Sequence, residues 1–309
     1  MMYVCFCFVG RTMHNTIQPM LHLEFAQNSL TGSIPSEFGI LTQLNRLHLK
    51  NNFLTGSIPS EFDILNRKLK RLSLSNNKLT GSIPSQLGLL DQLQFVDVIF
   101  NQLTGSIPSE FGQLTQLNEM LLYGNQLTGS LPSELCLLTQ LTMLMLGENT
   151  LTGSIPSELG ILTQLTLLDL YSNQLTGCIP SQLRGLSQLN QLSISYNQQL
   201  TGSIPSELGI LTQLTLLDLG EKKLTGSIPS EFGLLTQLKA SCLSFNQLTG
   251  SIPSQLGLLK QLTILQLDDN QLTSSMPPSL CSSVGAKITI DCEEIVCTCC
   301  TSSNGNSCS

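Results

Sequence analysis

The chain has eleven cysteines, whose thiols can form disulfides or bind metals, and six of them lie in its last 29 residues. These six are Cys281, Cys292, Cys297, Cys299, Cys300 and Cys308. A cluster of this density is typical of a disulfide-stapled cap, which forms in an oxidising compartment. The thiolates could instead bind zinc, but the two separate C-x-x-C pairs of a zinc module and a nearby histidine are missing. The tail therefore favours disulfides over a metal site.

No other part of the sequence contains a catalytic constellation. The three histidines, His14, His22 and His48, are not accompanied by a nucleophile with an orienting acid. A phosphate-binding GxxxxGKS/T loop, an HExxH helix and the kinase motifs are also missing. We therefore predict a protein that is not an enzyme and that holds no cofactor.

A short repeat organises most of the chain. The string Leu-Thr-Gly-Ser-Ile-Pro-Ser recurs between Leu30 and Leu272, and its prolines are spaced by 24 or 25 residues. A fixed period of this length indicates a solenoid, in which successive coils stack on one continuous core. Cys136, Cys178 and Cys242 lie in different coils, too far apart for a disulfide, so we expect three unpaired thiols.

One coil, from Leu44 to Leu65, shows how each repeat folds. Leu47 and Leu49 alternate with polar residues and predict a short strand with both leucines on one face. Pro59 interrupts regular pairing, and the Ser60-Glu61 pair predicts a brief helical or 3₁₀ turn in which the serine caps. Asn52 follows the strand, and the same column holds asparagine in nearly every coil. An inward amide must bond to backbone groups of its own and the adjacent coils.

The pattern LxxLxLxxNxLTGxIPxxLGxL closely resembles the plant-type leucine-rich repeat. That type occurs in ectodomains of plant receptor-like kinases and receptor-like proteins and in polygalacturonase inhibitors. The resemblance covers roughly residues 20–279, about eleven coils. It implies an α/β solenoid shaped as a curved horseshoe, with a concave parallel β-sheet and short 3₁₀ or helical turns on the convex side. A second short sheet is expected near the LTGxIP segment.

Three features depart from the repeat pattern. Lys222 occupies the asparagine column, and because lysine cannot accept hydrogen bonds we expect it to turn outward and weaken its coil. Ser241 replaces a strand leucine and predicts a loose position. The tryptophan-containing N-terminal cap of many plant members is missing, because the chain has no tryptophan. We therefore expect residues 1–19 to be an incomplete cap or a signal remnant, and residues 280–309 to form a cysteine-rich cap with a mobile tail.

The outward side chains of the predicted concave sheet vary while the framework repeats. They include Ser73, Ser75 and Asp97, and they change from basic through aromatic to acidic along the chain. Exposed aromatic and methionine side chains rimmed by charge are what a protein or peptide site needs. The candidate ligand-binding residues are Arg46, His48, Arg71, Phe95, Phe100, Tyr123, Met143, Met145, Asp169, Tyr171, Tyr196 and Asp218.

Charge and hydropathy argue against two further classes of protein, those that bind nucleic acids and those that span a membrane. The net charge is −7, with +4 on residues 1–90 and −11 on residues 91–309. This balance argues against general nucleic-acid binding, and no apolar run reaches the ~18 residues of a membrane span.

We expect a non-enzymatic recognition protein, secreted or at the cell surface, that binds a protein, a peptide or a cell-wall carbohydrate. One alternative is a cytoplasmic enzyme inhibitor or regulatory scaffold, which would require reduced tail cysteines. A second alternative is an ice- or polysaccharide-binding surface formed by the Thr and Ser ladder of LTGSIPS.

Overall fold

A computed structural model describes residues 21–65, 68–273, 276–281 and 287–291. The N-terminal segment 1–19 and the predicted disulfides of the tail lie outside the described side chains. The chain divides into two compact units, Met1–Leu151 and Thr152–Ser309. Each unit is a stack of coils, as the repeat predicts, and each is described by itself below.

The strands predicted around the paired leucines form a main parallel sheet in each unit. In the first unit they are His22–Glu24, Arg46–His48, Arg71–Ser73, Phe95–Asp97, Glu119–Leu121 and Met143–Met145. In the second unit they are Leu167–Asp169, Gln191–Ser193, Leu216–Asp218, Ala240–Cys242, Ile264–Gln266 and Lys287–Thr289. Within each unit neighbouring strands follow one another in chain order, so successive coils pair.

The register of the main sheet confirms that equivalent residues of successive coils lie on top of one another. Leu47 pairs with Leu72, Leu72 with Val96, and Val96 with Met120. All four side chains are buried, as are the repeated leucines and isoleucines around them. Ser241 is also buried and pairs in register with Leu217 and Leu265, so its strand forms despite the small side chain.

A second set of parallel strands follows the asparagine column, close to the LTGxIP segment, as the resemblance implies. In the first unit these strands are Thr31–Ser33, Phe53–Thr55, Thr80–Ser82, Gln102–Ser106 and Gln126–Thr128. In the second unit they are Thr176–Cys178, Gln199–Ser203, Lys223–Gly226, Gln247–Gly250 and Gln271–Leu272. The glycine at the centre of LTGS has a positive φ, for example +77° at Gly81, which favours this residue type.

A 3₁₀ turn follows the proline of each repeat from Pro35 to Pro253. The turns are Ser36–Ile40, Ser60–Ile64, Ser85–Leu89, Ser109–Gln113 and Ser133–Leu137 in the first unit, and Ser157–Ile161, Ser181–Gly185, Ser206–Ile210, Ser230–Leu234 and Ser254–Leu258 in the second. The predicted serine cap is wrong. Pro59 occupies the cap position, and the Ser60 hydroxyl lies inside the turn and donates to Glu61 Oε2 at 3.3 Å. One short α-helix, Pro278–Cys281, follows the repeats, and none of the described helices is long and apolar enough to cross a bilayer.

The asparagine column ties neighbouring coils together, as predicted. Asn52 Oδ1 accepts the Leu30 N–H of the preceding coil at 3.0 Å. Its Nδ2 donates to Phe25 O of that coil at 2.8 Å and to Leu49 O of its own coil at 2.9 Å. Because these backbone groups are shielded from water, an amide that both donates and accepts stabilises the stack where asparagine points inward.

The glycine inside the 3₁₀ turn allows the backbones of adjacent turns to approach closely, which the sequence analysis did not predict. A Cβ atom on Gly209 would lie 2.6 Å from the Glu231 carbonyl oxygen and 2.7 Å from its carbon. We expect Gly209→Ala to lower the free energy of unfolding by about 1–3 kcal/mol, because two backbones must separate. Urea unfolding measures the change. Ile210→Ala is the control, since Ile210 is 55% exposed in the same turn and its loss should stay within about 0.5 kcal/mol. Equal losses in the two variants would contradict this explanation.

Candidate ligand-binding face

The candidate site consists of the side chains that flank the buried centre of each main-sheet strand, together with the residue at the strand exit. We call this surface the variable face. Strand-exit residues adopt a positive φ, for example 50° at Phe100 and 57° at Tyr196, which turns their side chains away from the core. Phe100 is 51% exposed and Tyr196 is 46% exposed. Arg46 is also exposed, and the other predicted residues are half-buried, namely His48, Arg71, Phe95, Tyr123, Met143, Met145, Asp169, Tyr171 and Asp218.

The first strands of the first unit carry the basic side chains. Arg46 and Arg71 pair in register on adjacent strands, and Arg71 pairs in turn with Phe95. The Arg71 guanidinium carbon lies 4.1 Å from the centroid of the Phe95 ring, a cation–π contact. The predicted basic start of the variable face therefore exists, and one of its cations is already stacked on an aromatic ring.

His48 is held neutral at this basic end. Burial lowers the pKa of its imidazole, Glu24 opposes that shift from 3.9 Å, and Arg71, Arg46 and Lys50 lower the pKa further. Its Nε2 atom is buried without a hydrogen-bond partner among the described residues. His48 therefore adds a positive charge to the variable face only in acid.

An aromatic cluster ends in a carboxylate in the first unit. The rings of Phe100 and Tyr123 meet edge to face, with centroids 5.5 Å apart and planes at 89°. The Tyr123 hydroxyl donates to Glu148 Oε1 at 2.5 Å. The Phe100 ring packs over Gly124, where a Cβ atom would lie 2.7 Å from Phe100 Cε1, and the φ of +68° at this position also favours glycine. We call Phe100, Tyr123 and Glu148 the first aromatic cluster.

The second unit holds a cluster of the same kind. The rings of Tyr171 and Tyr196 have centroids 5.1 Å apart and planes at 63°. The negative charge of Glu221 raises the pKa of Tyr196, as do burial and the hydrogen bond from the Tyr196 hydroxyl to Glu221. We call Tyr171, Tyr196 and Glu221 the second aromatic cluster. The sequence pointed to the aromatic residues, whereas the two glutamates were not among the candidates.

Several polar residues of the predicted face turn out to be engaged within the protein. Ser73, Ser75 and Asp97 are buried, and Asp97 Oδ2 accepts from Ser75 Oγ at 2.6 Å and from Ser73 Oγ at 3.1 Å. Asp218 accepts a hydrogen bond from the Ser195 hydroxyl and another from Gly220 N at 3.3 Å. Asp169 Oδ1 accepts from Tyr171 N at 2.9 Å. These carboxylates fix the strand exits, so Asp97 in particular contributes little free surface.

The prediction that Lys222 turns outward is wrong. Its side chain is only 6% exposed, and Nζ donates to Gly220 O at 3.0 Å. Burial lowers the lysine pKa to about 7, although Asp218, Cys242 and Glu221 oppose the shift. The Leu200 N–H, which meets an asparagine oxygen in the regular coils, here donates to Asn197 O at 2.9 Å instead. The one-residue insertion between Asn197 and Leu200 allows this local turn. The Leu200 N–H is therefore satisfied within its own coil and does not need the acceptor that Lys222 lacks.

The three cysteines of the repeats are free thiols. They are Cys136, Cys178 and Cys242. Burial raises the pKa of the Cys242 thiol, which lies 3.2 Å from the Ser244 hydroxyl. A raised pKa keeps the thiol protonated at neutral pH, so Cys242 is a poor nucleophile.

The side of the coils that carries the LTGS strands is monotonous. In the first unit the exposed threonines are Thr31, Thr55, Thr80, Thr104 and Thr128, and the serines two residues further on are exposed as well. The strands are parallel, and a threonine pairs in register with the serine of the preceding coil, as Thr55 does with Ser33 and Thr104 with Ser82, so hydroxyl groups of adjacent strands lie side by side about 4.8 Å apart. We call this surface the threonine ladder.

Comparison with known proteins supports this description. The Leucine Rich Repeat family matches residues 43–65, 68–90, 92–114, 164–186 and 261–283. No curated protein matches the chain in sequence. The Arabidopsis receptor kinase HAESA, solved with the peptide hormone IDA and the co-receptor SERK1, is 35% identical with a TM-score of 0.80, and the match covers 88% of this chain and 47% of that chain. The chain spans between 36% and 52% of such receptor chains.

Two other solved structures are shorter and are covered more fully. A leucine-rich repeat protein of Leptospira interrogans is 32% identical with a TM-score of 0.53, over 84% of this chain and 76% of that chain. A plant ice-binding protein is 26% identical with a TM-score of 0.59, over 85% of this chain and 75% of that chain. The stacked coils, the asparagine column and these similarities lead to one conclusion: the chain belongs to the leucine-rich repeat family, and its repeats are of the plant type.

Proposed function

We propose that this chain is a non-enzymatic recognition protein that binds a peptide, free or as part of a protein, on the variable face. One observation carries the proposal: aromatic side chains cluster in adjacent coils on the variable face. The residues of this face differ from coil to coil, whereas the framework residues repeat. Phe100 with Tyr123, and Tyr171 with Tyr196, are ring pairs that face outward. Large, partly exposed aromatic side chains contribute most of the binding energy at protein interfaces.

The similarity to peptide receptors supports a peptide as the ligand. HAESA was solved with a peptide hormone, and the alignment with it covers 88% of the present chain. A parallel sheet also presents one row of side chains per coil, which suits an extended peptide that crosses successive strands. We further propose that the protein acts outside the cell, secreted or at the surface, since the similar receptor structures include an ectodomain of a membrane receptor kinase.

The test uses peptides selected from a random displayed library against the intact protein. Two double variants, Phe100→Ala with Tyr123→Ala and Tyr171→Ala with Tyr196→Ala, each remove one ring pair. We expect at least one of them to weaken binding by about 100-fold or more, because two buried aromatic contacts are lost. Titration calorimetry measures the affinity, and circular dichroism checks the fold. Unchanged affinity in both double variants would contradict the proposal.

A second candidate function places the ligand on the threonine ladder. The regular spacing of its hydroxyl groups suits a repeating surface such as ice, and the match to a plant ice-binding protein supports this candidate. Replacing Thr80 and Thr104 by valine separates the two functions. Peptide recognition predicts no change in peptide affinity and no activity on ice crystals, whereas an ice-binding ladder predicts thermal hysteresis that these valines abolish and the ring-pair variants retain.

A further inference from the structure

We infer that the two aromatic clusters are sites for cationic side chains, arginine above all, so that the peptide recognised on the variable face is basic. This inference rests on the proposed function and names the chemistry of its ligand. It depends on the way each cluster combines exposed ring surface with a carboxylate at the next strand exit.

The first cluster has the geometry that a guanidinium requires. Phe100 and Tyr123 meet edge to face, so the exposed face of Phe100 remains open to a ligand. The Tyr123 hydroxyl holds Glu148 Oε1 at 2.5 Å, which keeps the carboxylate beside the rings. Each carboxylate oxygen accepts more than one hydrogen bond, so Glu148 can still receive an N–H donor. A planar guanidinium can stack on a ring and bond to a carboxylate at the same time.

The second cluster repeats this arrangement with different residues. Tyr171 and Tyr196 form the ring pair, and Glu221 is near enough to Tyr196 for its negative charge to raise the tyrosine pKa. The field of Glu221 raises the pKa of Tyr196, so this part of the face resists a further negative charge. A cationic side chain of a ligand is attracted by the negative charge of Glu221. An anionic side chain of a ligand would be repelled here.

The chain itself shows how its aromatic rings pair with cations. Arg71 lies over Phe95, and Lys78 lies over Phe53 with Nζ 5.4 Å from the ring centroid. Among the described residues, no lysine or arginine is placed over Phe100 or Tyr196. Residues 91–309 carry a net charge of −11, so a basic ligand is also favoured at longer range.

The experiment selects displayed random peptides on the wild-type protein and counts arginine and lysine at each position. We expect cationic residues to be enriched at one or more positions of the selected peptides. Replacing the enriched arginine by citrulline, which keeps the shape and removes the charge, should weaken binding at least about 10-fold. Glu148→Gln or Glu221→Gln should weaken binding of the arginine peptide to a similar extent and leave binding of the citrulline peptide nearly unchanged.

Matched variants control for the loss of one negative charge. Glu134→Gln and Glu207→Gln lie in 3₁₀ turns of the first and second unit, away from the variable face, and should leave both affinities unchanged. If selected peptides depend on a ring pair but show no cationic enrichment and no response to citrulline, the inference is overturned and the proposed function stands. If no peptide depends on either ring pair, both are overturned.

Discussion

Replacing Asn197 by aspartate should lower the free energy of unfolding by about 3–5 kcal/mol, although the two side chains have nearly the same shape. Asn197 is fully buried, and Nδ2 donates to Ile194 O at 2.7 Å and to Leu170 O at 2.9 Å. An aspartate keeps the oxygen that accepts the Leu175 N–H at 3.0 Å. In place of Nδ2, aspartate puts a negatively charged oxygen next to the carbonyl oxygens of Ile194 and Leu170, and no water screens the repulsion.

The same substitution at Asn28 provides a matched control within the same column. Asn28 is exposed, and Nδ2 donates to Ala26 O at 2.8 Å at the surface. Because water replaces that bond, Asn28→Asp should change the stability by no more than about 0.5 kcal/mol. Urea unfolding of both variants at neutral pH, followed by circular dichroism, measures the difference. Similar losses at the two positions would mean that the inward asparagines do not hold the coils together.

The repeat made most of the fold predictable. A leucine that recurs once per coil can be buried in every coil only if the coils stack, so the register of Leu47 on Leu72 followed from the period alone. The recurring proline likewise predicted the 3₁₀ turn that follows it, and the recurring glycine of LTGS predicted a residue with a positive φ. In this chain each local signal is repeated about ten times, and chance agreement is correspondingly rare.

The sequence-based predictions were wrong where a side chain contacts the neighbouring coil. Ser73 and Asp97 alternate outward in their own strands, yet they bond to each other because equivalent positions lie one strand spacing apart. Lys222 was expected in solvent, but the inserted residue near Gln199 changed the turn opposite it. The pairing of Tyr196 with Glu221 is of the same kind. A one-coil pattern does not contain such contacts, which form only when the outward residues of successive coils are stacked.

We also expect Lys222→Asn to raise the stability of the protein, and more at neutral pH than at alkaline pH. The pKa of Lys222 falls from 10.5 to about 7 on folding, mainly because burial disfavours the ammonium ion. Between those two values the unfolded chain binds the proton more tightly, so the stability of the wild type rises as pH increases from about 7 to 10.5. Below about 7 the whole penalty is present, on the order of a few kcal/mol. Asparagine removes that penalty, and its amide can bond to Leu219 O and Gly220 O, as Asn246 does to the equivalent Leu243 O and Ser244 O.

Thermal unfolding at several pH values should therefore give Lys222→Asn a higher Tm by about 5 °C or more at pH 7, with the gain shrinking towards pH 10. Lys223→Asn removes the same charge from the adjacent exposed residue, and its Tm should stay close to the wild-type value at every pH. A gain of equal size at pH 7 and pH 10 would point to the restored hydrogen bonds alone. A lower Tm at pH 7 would show that the lysine, together with the inserted residue, stabilises this coil better than the regular asparagine.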